Sequence, residues 1–164
     1  MGKLGKRADI NLSFGVIFSI ILIAVFIFAA VYAINFFLDY SQCVQVGSFY
    51  EGLQKEVSNA YLSQSTENKK FQISLPSSID KICFANLSAP ITNPGEDYDL
   101  IADFYLEDAN LFLIPGESAC GIPYKKITRL NVAEITKVKN PYCIYSDEEL
   151  TLTKQIYDRA VLIQ

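Results

Sequence analysis

Residues 10–38 carry no charged side chain, and this run constrains the chain more than any other feature. Within it, residues 16–34 read VIFSIILIAVFIFAAVYAI, with Ser19 as the one strongly polar member. A helix crosses about 30 Å of hydrocarbon with roughly 20 apolar residues. No water there can satisfy an open backbone, so a single crossing segment has to be helical. A helix apolar on every side and this long needs a large protein to bury it, and only residues 39–164 remain. A removable secretory signal has an apolar region of about 7–15 residues, shorter than this one. The run predicts a membrane-spanning helix over residues 10–38 that stays on the protein, with lipid as its first partner.

The flanks orient it. Lys3, Lys6 and Arg7 precede the run, whereas Asp39 and Glu51 are the first charges after it. Cytoplasmic ends of membrane helices collect Lys and Arg. Residues 1–9 are therefore expected inside as a short head, and residues 39–164 outside, in a single-pass arrangement. Setting Lys3, Lys6, Arg7 and Asp9 apart from the 14 basic and 18 acidic residues leaves eleven basic against seventeen acidic. That balance argues against nucleic acid and anionic lipid as partners of the exterior part, since both need basic patches.

All four cysteines, Cys43, Cys83, Cys120 and Cys143, fall on the side expected outside. An even number beyond an oxidising boundary suggests two disulfides, with three connectivities open. Cys83 in KICF and Cys143 in YCIY lie in β-rich runs, which suits two neighbouring strands. Cys43 lies three residues before Val46 on an apolar stripe, and Cys120 sits in a glycine-bearing loop able to reach it. The expected pairs are Cys83–Cys143 and Cys43–Cys120. The chain has no CxxC and no histidine, so no zinc site is expected.

After the membrane run, Val46, Phe49, Tyr50, Leu53, Val57, Ala60 and Tyr61 recur at spacings of three and four, one face of a helix. Glu51, Gln54, Lys55, Glu56 and Ser58 fall between them, on the side expected to face solvent. No proline occurs before Pro76, so one helix is expected from Asp9 to Leu62, its residues 39–62 forming an amphipathic extension. Residues 63–70 (SQSTENKK) read as a polar turn, and residues 71–75 as a strand of period two turned by Pro76. Further strands are expected at residues 79–87, 111–114, 124–132, 141–145, 150–154 and 160–164, with 155–159 as a hairpin connection. Residues 89–95 read as a loop, and residues 98–107 fit helix and strand about equally. The fold class is α+β: a long apolar helix whose amphipathic half packs on a small antiparallel β-sheet domain at residues 63–164.

Lys6-Arg7-Ala8 stands directly before Asp9-Ile10-Asn11 and the apolar run. This order of basic pair, small residue and long uncleaved helix resembles the class III signal peptides of archaeal type IV pilins and archaellins. Ala8 occupies the place commonly held by glycine, and Ser13 the place where many pilins carry glutamate. The resemblance implies cleavage between Ala8 and Asp9 by a membrane peptidase. It also implies a structural subunit, or an accessory of a surface filament or secretion machine, whose helix packs against sister subunits. The other reading from the same residues is a membrane-anchored binding domain outside the cell that never polymerises.

Little in the sequence points to catalysis. Glu96, Asp97, Asp99, Asp103, Glu107 and Asp108 cluster without a basic residue among them, but their spacing does not match a calcium loop. A solvated acidic face is expected there, with no metal. Cys120 lacks any histidine to activate it, and there is no P-loop, GxGxxG or GxSxG. No enzyme activity and no cofactor are expected. Asn86-Leu87-Ser88 is an N-x-S acceptor for N-glycosylation. Asn11-Leu12-Ser13 matches the same pattern, at the cytoplasmic membrane boundary, where sugar transfer is implausible.

Overall fold

The structure, a computed structural model, describes residues 14–89, 91, 94 and 97–164. The first helix, α1, runs over Phe14–Leu62. The chain divides into two compact units, Met1–Tyr40 and Ser41–Gln164. In the first, every described residue is helical and exposed. The Ser19 hydroxyl donates to the Gly15 carbonyl at 2.8 Å, so the polar side chain is satisfied within its own helix.

Among the described residues, the second unit holds the remainder of α1 and seven strands. These are β1 (Thr66–Gln72), β2 (Lys81–Phe84), β3 (Leu111–Ile114), β4 (Tyr124–Lys125), β5 (Tyr142–Tyr145), β6 (Glu149–Lys154) and β7 (Leu162–Ile163). A short helix, α2 (Val132–Ile135), lies between β4 and β5 and is capped by the Asn131 side chain. The strands form two sheets, not the single one expected. One is ordered β1-β6-β7 and the other β4-β3-β2-β5, and all their strand pairs are antiparallel. The architecture is α+β.

The main core gathers the α1 stripe with residues from both sheets. Val46, Phe49, Tyr50, Leu53, Val57 and Ala60 are buried there with Ile82, Phe84, Leu111, Leu113, Leu150 and Leu152. Tyr61 packs at its edge, partly buried. At about 2 kcal/mol for each large side chain, the helix stripe contributes roughly 10 kcal/mol of gross stabilisation before chain entropy is counted. The opposite faces of β2 and β3 are buried as well. Cys83, Phe112 and Ile114 pack in a second cluster with Ile101, flanked by Phe104 and Tyr124. Covering on both faces is why β3 reads LFLI without alternation.

The end of α1 is held from a distant strand. Ser63 Oγ and Thr66 Oγ1 donate to the Ala60 carbonyl at 2.6 and 3.4 Å. The buried Lys154 ammonium of β6 donates to the Ser63 carbonyl at 3.0 Å. A cation at the negative end of the helix dipole is stabilising, and no basic residue in the last turn of α1 supplies one.

Several local expectations need correction. Residues 66–70 are not a turn: β1 begins at Thr66 and ends at Gln72, before Pro76. Paired with β6, it needs no apolar alternation of its own. Lys69 forms an ion pair with Glu56 of α1, and Lys70 donates to Glu149 at 2.7 Å. The strand expected at residues 124–132 closes after Lys125, and α2 takes Val132. Residues 98–107 are mostly turns around one 3-10 segment, Ala102–Phe104. Gln54 does not simply face solvent: its Oε1 accepts from the Thr128 backbone N–H at 2.9 Å.

Candidate functional site

The feature of the first unit is uncovered apolar surface. From Phe14 to Tyr40, nineteen large apolar side chains are exposed, from Leu22 at 40% to Phe14 at 82%. At about 1.5 kcal/mol each, leaving them in water costs roughly 28 kcal/mol, more than the net stability of an ordinary domain. A core helix of a water-soluble chain would be covered by its own fold, yet no part of the most apolar stretch is buried. At 1.5 Å per residue, residues 14–40 extend about 40 Å, enough to cross a bilayer's hydrocarbon. One helix near the N-terminus is thus long and apolar enough to span a membrane.

In the second unit the structure brings the four cysteines together in two pairs. Cys43 is bonded to Cys120 with Cα atoms 5.4 Å apart, tying α1 to the turn after a 3-10 segment, Gly116–Ser118. Cys120 adopts φ +54°, with Gly121 at +78° beside it, so two successive left-handed residues turn the Cys120 sulfur toward α1. The Tyr50 hydroxyl supports the same loop by donating to the Ile122 carbonyl at 3.0 Å, and burial pushes its pKa well above the usual tyrosine range. Cys83 and Cys143 face each other in the β2–β5 register with Cα atoms 4.0 Å apart, close to the spacing of a non-hydrogen-bonded antiparallel pair.

The two sulfurs of this second bridge and an Asp97 carboxylate oxygen lie within 4.8 Å of one another. Metal binding needs free thiolates, and here the sulfurs are bonded to each other. The grouping therefore offers a cation a single carboxylate. Asp97 also departs from the solvated acidic face expected for its segment. It is half-buried and accepts from Lys81 Nζ at 2.8 Å, while Asp108 pairs with Lys126 at 2.5 Å. Glu96 lies outside the described residues.

A cleft of about 530 Å³ in the second unit lies among Leu100, Phe104, Gly116, Glu117, Pro123 and Tyr124. Burial first, and then the charge and hydrogen bond of Glu107, raise the pKa of Tyr124. Phe104, Phe112 and Tyr124 pack there as tilted rings with centres 5.0 to 6.3 Å apart, so this wall is an extension of the second core cluster.

Asn86 stands just past the end of β2 in a turn. Its backbone N–H donates to Asn140 Oδ1 at 3.1 Å, and its carbonyl accepts from Asn140 Nδ2 at 2.9 Å. Asn140 is buried and spends its amide on this clasp. Neither Asn140 nor Lys154 was marked by the sequence, since an Asn beside a proline and a Lys closing a strand are ordinary surface residues in most chains. Ala8 and Asp9, the expected cleavage pair, lie outside the described residues, as does Asn11. Compared with known proteins, the chain matches no family model, no curated protein and no solved structure.

Proposed function

We propose that this protein is a membrane-anchored structural subunit of the type IV pilin kind, assembling through its N-terminal helix. The observation that carries this reading is that nineteen large apolar side chains between Phe14 and Tyr40 are exposed, with none of the described residues burying them. Such a surface needs an apolar environment, and lipid and the helices of sister subunits both provide one. In the membrane the helix would hold residues 41–164 outside the cell. After extraction into a filament, the same side chains would pack on sister helices, with Gly15, Ala29 and Ala30 allowing close approach. Two disulfides in the second unit support an oxidising exterior location. The part played by the domain is structural and not catalytic.

Mass spectrometry of the N-terminus of the native protein tests this. A mature chain beginning at Asp9 is the expected result, because the leader peptidase of pilin-like proteins removes the basic head and spares the helix. A native chain that retains Lys3, Lys6 and Arg7 would refute assembly by this route and leave a simple membrane-anchored domain.

A further inference from the structure

We infer that Asn86 carries an N-linked glycan in the native protein. The inference rests on the proposed external location of residues 41–164. Asn86-Leu87-Ser88 meets the acceptor pattern, with leucine and not proline in the middle. Acceptor patterns arise often by chance, so the geometry of this one decides. Its asparagine lies two residues past the end of β2 and opens the turn at residues 87–88, where a branched substituent does not interrupt a ladder.

The fold also divides the polar atoms of Asn86 in a way that suits the modification. The backbone N–H and C=O are both taken by the Asn140 side chain. Oδ1 accepts from the Ser88 backbone N–H at 3.2 Å, which sets the orientation of the amide. Among the described residues nothing accepts from Nδ2. Replacing one of its hydrogens by a sugar carbon therefore breaks no bond of the fold and keeps the Oδ1 contact. Asn86 lines a cleft of about 230 Å³ with Tyr105, Asp108, Asn110 and Lys126, open enough to leave room for the first sugar.

The reaction is a transfer from a lipid-linked sugar phosphate. Asn86 Nδ2 forms a bond to the anomeric carbon while the bond from that carbon to the phosphate oxygen breaks. The lipid phosphate leaves with the electron pair, and the amide proton passes to a base of the membrane transferase. The Ser88 side chain is exposed and free to be read by that enzyme.

The test is peptide mass mapping of the protein from its native membrane, for the wild type and for N86Q, S88A and S88T. The expected result is a sugar mass on the wild-type peptide containing Asn86, retained in S88T and lost in N86Q and S88A. S88A keeps the Oδ1 contact to the residue 88 backbone, so its loss of sugar cannot be blamed on misfolding. An unmodified Asn86 in the wild type, or a modification that survives S88A, overturns the inference. A membrane-impermeant amine label applied to intact cells separates the two readings. Labelled lysines in residues 41–164 with a bare Asn86 sink the glycan alone, whereas unlabelled lysines sink the external location with it.

Discussion

The packing of α1 on the sheets can be tested with one chemical change made at two places on the same helix. Leu53 is fully buried in the middle of the stripe, while Leu62, nine residues on, is 74% exposed. Leu→Ala alters intrinsic helix propensity alike at both positions, so the difference between the variants reports burial. Leu53→Ala removes a buried side chain and leaves a cavity that rigid strands on the other side cannot fill, a loss of about 3 kcal/mol. Leu62→Ala should cost less than about 0.5 kcal/mol. For residues 41–164, an unfolding entropy of about 2.1 cal/mol/K per residue makes 1 kcal/mol worth roughly 4 °C. Leu53→Ala should therefore lower the melting temperature by about 12 °C, and Leu62→Ala by less than about 2 °C. The assay is thermal circular dichroism of the oxidised full-length protein in detergent micelles, which keep residues 14–40 covered. Equal shifts in the two variants would refute the burial of the stripe.

Two further outcomes follow from the second unit. Because burial raises the folded pKa of Tyr50, its hydroxyl stays protonated in the fold while the unfolded chain ionises above about pH 10. Its contribution is intact below that pH and lost above it, by about 1.4 kcal/mol per pH unit. Tyr50→Phe should be weaker than wild type at pH 9, because the Ile122 carbonyl loses its donor, and the gap should narrow by pH 11 in denaturant titrations; a gap of constant size would refute the assignment. Replacing Cys43 and Cys120 by serine frees a loop with a sequence separation of 77. A chain-entropy estimate gives a loss of about 4.5 kcal/mol; an unfolding midpoint unchanged under non-reducing conditions would show that the bridge restrains nothing.

The elements legible in the sequence are those whose signal is local. The charge-free run over residues 10–38 is a property of composition, and the stripe from Val46 to Ala60 follows from 3.6-residue periodicity, so α1 and its end at Leu62 could be read directly. The strand at residues 111–114 was legible for a different reason. A short apolar run bounded by turn residues suits a strand buried on both faces, although nothing in LFLI says what covers each face. The cleavage pair at Ala8 and Asp9 rests on a motif alone.

What only the tertiary structure decided is where partners come from across the chain. β1 reads as a polar turn because its backbone is satisfied by β6 and its Lys70 by Glu149, 79 residues on, while Lys69 pairs with Glu56 of α1. The split into two sheets, the ion pair that half-buries Asp97, and the Lys154 contact that closes α1 have the same origin. So does the clasp of Asn140 on the Asn86 backbone, between residues 54 apart in the chain. Local periodicity sets which face of a segment is apolar, because that depends only on 3.6 or 2 residues per repeat. Which residue satisfies a given carbonyl or carboxylate depends on contacts between residues 16 to 91 apart in the chain, as for Lys81 with Asp97 and Lys154 with Ser63, and no periodicity encodes that.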